Sequence, residues 1–246
     1  MLDRATTLEV LRSGELEVVG RIVESTNNAL FVRLTRPCPD PEPAVVIEAI
    51  HKPTLGERPL DDFPDGTLAQ REVAAWLVSE AMGWDLVPPT ILRDGPFGNG
   101  MLQAYVDIDD EVDVWTMVIE DDPRLRRMAT FDAAVNNTDR KGGHILPVDG
   151  GRHLYGVDHG VTFSVVPKLR TVLWGWRGQP FGDDELAGLR RLREALAADG
   201  GLADELRGLL SGAEIRALAR RVDGLLTAGR FPYPSPTWPA VPWPPF

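Results

Sequence analysis

The chain has 246 residues, with 26 basic and 37 acidic side chains, a formal net charge of −11 and one cysteine. That length suits one large domain or two lobes, the acidic field disfavours polyphosphate backbones and anionic lipid surfaces, and a lone Cys38 excludes an internal disulfide or a multi-cysteine metal site. No apolar run reaches the roughly 18 residues of a membrane span, and the opening MLDRATTLEVLRSGELE has neither the basic start nor the apolar core of a signal peptide, so a cytoplasmic address is expected.

Leu8 and Leu11 predict a short helix over about 5–13, followed by strands in LEVVGRI (16–22) and ALFVRL (29–34). Between them ESTNN supplies small polar residues suited to a hairpin turn. Four prolines in RPCPDPEP (36–43) make that stretch an extended loop, and AVVIEAIHK (44–52) is a third strand ending at Lys52. The clearest helix is 67–83, with Thr67 as its N-cap, Gly83 as its stop and a stripe of Val73, Trp76, Leu77 and Ala81. PTILRDG and GNGMLQAYVD then read as two strands around a glycine-rich turn.

The second half changes character. A helix is expected over 121–137, with Asp122 as N-cap and Pro123 at the first helical position. A polar loop, TDRKGGH, precedes two small strands, ILPV and HLYGV, and the segment GVDHGVTF. From Asp183 to Gly229 the pattern is helical. Arg124, Arg126 and Arg127 read as a solvated helix face. The last sixteen residues, 231–246, contain seven prolines and five aromatics, which predicts either a disordered arm or an extended strip in an aromatic-friendly groove.

Only three of the basic residues are lysines, Lys52, Lys141 and Lys168, so each is a candidate for a place that needs a compact point charge. On position alone Lys52 is equally a surface residue at a strand end. Glu72 shares a helical stripe with Leu68 and Trp76, where a carboxylate needs a partner or a wet cleft. A strand-end lysine paired with a helix glutamate positions a cation over a nucleotide's phosphates. Asp139 and His144 are five apart, the Asp-to-Asn spacing of phosphoryl-transfer catalytic loops. Asp158, after an apolar strand and two before Gly160, suits a metal-binding carboxylate. Singly, these are turns and caps; in order, Lys–Glu–Asp–Asp is a phosphotransfer pattern.

NNTDRKGGHIL followed by VDHGVTF resembles the catalytic loop and metal-binding segment of type II phosphatidylinositol 4-kinases. The helix REVAAWLVSEAMGWDLVPPT and the HKP strand end are similar to the same family's Glu-helix and ATP-binding segments. The resemblance runs from about residue 44 to 165, and the whole chain looks like an actinobacterial family of phosphatidylinositol 3-/4-kinase-related proteins. It implies an α+β, two-lobed protein-kinase-like fold, with a nucleotide-binding lobe over 1–107, a catalytic lobe over 108–230 and a tail over 231–246.

Carried over, the resemblance gives Lys52 the α/β-phosphates of ATP and Glu72 the orienting of Lys52. Asp139 receives the acceptor hydroxyl, and Asp158 binds Mg²⁺. Gln103 to Tyr105 become the adenine-side hinge, and Asn27 and Asn28 the phosphate cover, although no G-x-G-x-x-G is present. Two departures stand out. His144 occupies the place of an amide metal ligand, which suits Mn²⁺ better than Mg²⁺. Lys141 stands two after Asp139, where it would neutralise the moving phosphoryl group.

The expected function is therefore an ATP- and divalent-metal-dependent phosphotransferase. Its acceptor is expected to be a protein hydroxyl or small polar metabolite rather than a lipid, with no nucleic-acid partner and no stable membrane association. The alternatives are a nucleotide-binding pseudokinase or scaffold, and a kinase-fold enzyme that transfers AMP. A hydrolase built on His144, Asp158 and His159 lacks a recognisable ligand spacing.

Overall fold

A computed structural model describes residues 2–22, 28–39, 43–197 and 201–246 and divides the chain into two units. One comprises Met1–Val73 and Pro88–Val106, the other Ala74–Val87 and Asp107–Phe246.

The first unit is built on a five-stranded antiparallel sheet in the order β1-β2-β3-β5-β4. Its strands are β1 (Glu15–Arg21), β2 (Leu30–Arg36), β3 (Val45–Pro53), β4 (Thr90–Gly95) and β5 (Gly98–Ala104). Period-two alternation buries Leu30, Val32 and Leu34 of β2 on one face. There they join Ala49, Ile91 and Leu102, and helix α1 (Arg4–Ser13) contributes Val10 and Leu11 to the same core. Asp3 caps α1 by accepting from the Thr6 amide at 3.0 Å. Arg93 of β4 ties down the other end by donating to the carbonyls of Leu11 and Gly14 at 2.9 and 2.7 Å. The same alternation puts Lys52 on the sheet face opposite Ala49 and His51. Residues 24–27 of the expected ESTNN turn, Asn27 among them, lie outside the described residues.

Helix α2 (Leu68–Met82) supplies residues to both units. Gly83 ends it at φ +70°, with its amide on Glu80 O and that of Trp84 on Ser79 O, the paired bonds of a left-handed C-terminal cap. Its start departs from expectation. The Leu68 and Ala69 amides donate to the Glu57 carboxylate at 3.0 and 2.8 Å, while the Thr67 hydroxyl donates to Pro64 O. The expected apolar stripe was also too narrow: every residue from Arg71 to Trp76 is buried.

In the second unit an unexpected helix, α3 (Val114–Ile119), is capped by Asp113, and α4 (Arg126–Val135) follows. Asp122 and Pro123 open a 3₁₀ turn (Pro123–Leu125) rather than α4 itself. Strands β6 (Ile145–Val148) and β7 (His153–Gly156) form a hairpin. Then come α5 (Asp183–Ala195), α6 (Leu202–Arg207) and α7 (Gly212–Ala228), with α4 packed against α5 and α7. The arginines about the start of α4 are not a merely solvated face. Arg126 donates to Glu185 at 2.9 Å and lies over the Phe231 ring, and Arg127 donates to Asp184 at 2.5 Å. No helix among the described residues is long and apolar enough to cross a membrane.

Candidate active site

In the first unit the Lys52 ammonium meets the Glu72 carboxylate at 3.0 Å. β3 carries the lysine and α2 the glutamate, with the lysine side chain 17% and the glutamate 4% exposed. The pair thus has a desolvated anchor and a cation that retains access to solvent, the arrangement a phosphate-binding lysine requires. Gln103 is buried and donates to the Thr90 hydroxyl at 2.8 Å, so its amide is directed to a neighbouring strand. Tyr105 is exposed, its ring edge-on to Phe31, and its amide donates to Glu48 O. Asn28 is exposed and accepts a hydrogen bond from Arg21.

In the second unit, the loop after α4 is held from beneath by groups that the sequence pattern does not single out. Asp132 and Arg140 are completely buried and paired through several hydrogen bonds, the shortest at 2.9 Å. Arg140 directs both Nη1 donors to backbone. It bonds His144 O at 3.1 Å and Val157 O at 3.2 Å, joining the Asp139 loop to the Asp158 segment. Its guanidinium also reaches His159 Nε2 at 2.7 Å. Asn137 links the pair upward, donating to Asp132 Oδ1 at 2.9 Å and accepting from the Asp139 amide at 3.0 Å. Asn136, left-handed at the C-cap of α4, donates to the carbonyls of Ser164 and Val166 and accepts from the Lys168 amide.

The candidate side chains Asp139, Lys141, His144 and Asp158 sit on this base. Asp139 lies 3.4 Å from the Lys141 ammonium, and its side chain is 34% exposed. His144 Nε2 and Asp158 Oδ2 are also 3.4 Å apart, the aspartate side chain being 46% exposed. Burial pushes the imidazole below its ordinary pKa, against an opposing pull from Asp158, which favours the neutral ring that can act as a ligand. A divalent ion about 2.1 Å from each of two adjacent ligands spans roughly this separation. No cluster of three or more His, Cys, Asp or Glu side chains suited to a metal occurs among the described residues. One imidazole and one carboxylate would suit a divalent ion softer than Mg²⁺, its remaining positions filled by phosphate oxygens and water.

The structure therefore brings Lys52 to Glu72 in one unit, and Asp139 to Lys141 and His144 to Asp158 in the other. One sequence signal could have exposed the hidden base: in MATFDAAV, Asp132 is a lone carboxylate inside an otherwise apolar helix face.

No family model matches the chain. It is similar to hydra Fam20, solved with sugar, at a TM-score of 0.55 and 14% identity, covering 91% of this chain and 87% of that one. It is also similar to the Helicobacter pylori proinflammatory kinase CtkA, at a TM-score of 0.53 and 11% identity, covering 90% and 94%. These likenesses establish a mixed α/β, kinase-like fold, strand-rich in its N-terminal part and helical in its C-terminal part; they do not single out the phosphatidylinositol 4-kinases. In sequence the chain is 45% identical over 273 aligned positions to protein Rv2133c of Mycobacterium tuberculosis (strain ATCC 25618 / H37Rv), across 96% of this chain and 94% of the relative. The chain belongs to the family of that mycobacterial protein, carried on a kinase-like fold.

Proposed function

We propose that the protein is an ATP- and divalent-metal-dependent phosphotransferase acting on a hydroxyl of a protein or a small polar metabolite. The observation that carries this reading is Arg140. One buried guanidinium bonds both the Asp139 loop and the Asp158 segment, so the two acidic groups belong to a single preorganised framework.

In this reading Lys52, oriented by Glu72, holds the α/β-phosphates of the nucleotide. Asp158 and His144 would hold the metal, which would supply charge neutralisation on the phosphate oxygens. Asp139 accepts the proton of the acceptor hydroxyl as its oxygen bonds to the γ-phosphorus. The bond from that phosphorus to the β–γ bridging oxygen breaks, and ADP leaves with that electron pair. Lys141, beside Asp139, offsets charge on the moving phosphoryl group. A non-lipid acceptor accords with the net charge of −11. Gln103 and Tyr105 would border the adenine, with Asn28 toward the phosphates.

The test is phosphate transfer from γ-labelled ATP with Mg²⁺ or Mn²⁺. Asp139→Asn is expected to lower turnover about 10²- to 10⁴-fold while nucleotide binding persists. Activity that survives Asp139→Ala combined with Asp158→Ala overturns the proposal. His144 favours one second reading, a nucleotide-binding protein with little turnover. Stabilisation by ATP without phosphate release would distinguish it.

A further inference from the structure

Residues 231–246 run along the rest of the second unit with neither helix nor strand, linked to it at successive points. Phe231 exchanges backbone hydrogen bonds with residues 178 and 179: Gly178 N donates to Phe231 O and Phe231 N to Gln179 O, both at 3.0 Å. The Lys168 ammonium lies 5.4 Å over the Trp238 ring. Ala240 O accepts from the Thr171 amide at 3.0 Å and from Trp174 Nε1 at 2.8 Å. Thr171 itself runs beside the catalytic loop, because Arg140 N donates to Arg170 O and Val172 N to Arg140 O.

The segment finally reaches the loop directly. The Gly142 amide donates to Pro245 O at 2.8 Å. The Phe246 ring covers Gly142 so closely that a Cβ there would overlap it, and meets the Trp115 ring at 4.3 Å between centroids with a 51° tilt. Gly142 is buried, so its N–H needs this acceptor. Proline is well fitted to supply it, because it has no N–H of its own to satisfy and pre-orders an extended chain, leaving carbonyls as acceptors.

Gly142 begins the 3₁₀ turn Gly142–His144, which follows Lys141 and ends at the imidazole beside Asp158. Arg140 fixes the inner side of this turn through His144 O. We infer that residues 231–246 brace its outer side, and that Phe246 is a positioning residue for Lys141 and His144. The catalytic part of this inference rests on the phosphotransferase reading; the brace itself does not.

The experiment uses the full chain carrying Phe246→Ala, Gly142→Ala, both together, or Phe246→Tyr. Gly142 is not in the left-handed region, so an alanine there conflicts with the ring rather than with its own backbone. Hydrogen exchange is read for residues 139–144 and for α4, together with kcat and the KM for ATP. Phe246→Ala and Gly142→Ala are each expected to speed exchange in 139–144 but not in α4. Each should lower kcat roughly 10- to 100-fold, the scale of a small misplacement of reacting groups, with KM unchanged. The double variant should match the singles, and Phe246→Tyr should restore wild-type behaviour. Unchanged exchange in Phe246→Ala, exchange that rises equally in α4, or an unchanged or increased kcat would overturn the inference. A wild-type chain that transfers no phosphate defeats the proposed function instead, and exchange alone then decides the brace.

Discussion

The two units aim their functional groups in different ways. In the strand-rich unit Lys52 is directed by an ion pair with Glu72, side chain to side chain. In the helical unit the candidate carboxylates Asp139 and Asp158 are about a third to a half exposed, and the backbone that carries them is fixed by Asp132, Asn137 and Arg140. A long lysine can keep a carboxylate partner and still offer its charge to a phosphate. A short aspartate that must meet a metal or a hydroxyl has to be left open, so its position is set through its main chain. Order in the second unit therefore lies one layer below the chemistry.

This contrast can be broken by substitution. The largest effect is expected for Asp132→Ala, which strands a completely buried guanidinium and should cost about 3–5 kcal/mol in chemical unfolding. A loss below about 1 kcal/mol would mean that the hidden base does not frame the loop. Next comes Lys52→Met, expected to lower phosphate transfer roughly 10²-fold while costing less stability than Asp132→Ala, because the lysine end of the pair is 17% exposed and water can reach the vacated side of Glu72. If it instead unfolds the protein as Asp132→Ala does, the contrast between the units disappears. The smallest effect sharpens the picture of the first unit. Glu57→Ala frees the first two amides of α2 and should cost about 1 kcal/mol by thermal unfolding, whereas Thr67→Val should cost less.

Much of the fold was legible because local rules governed it. The alternation in LFVRL, the glycine after Met82 and the D-G-G turn between β6 and β7 all act over a few residues. Helix α2 shows where this fails. Its sequence reads as a helix with one apolar stripe, yet Arg71 and Glu72 are buried with their neighbours, and its N-terminal amides go to Glu57, eleven residues before Leu68. Helix α3 was missed because six residues rich in β-branched side chains carry little helical signal; Asp113 was its only mark. At the site, its spacing to His144 singled out Asp139, while Arg140 passed as ordinary in a chain that uses arginine almost throughout.

By itself the sequence determined the order of elements and nominated Lys52, Glu72, Asp139, Lys141, His144 and Asp158 by residue type and spacing, since periodicity and caps are short-range properties of the chain. Only the tertiary structure decided that Lys52 meets Glu72, that Arg140 joins two loops through their carbonyls, and that a proline-rich segment some hundred residues later closes over Gly142. Those contacts depend on which buried donors and acceptors must satisfy one another, a requirement that arises only once distant segments have left water together.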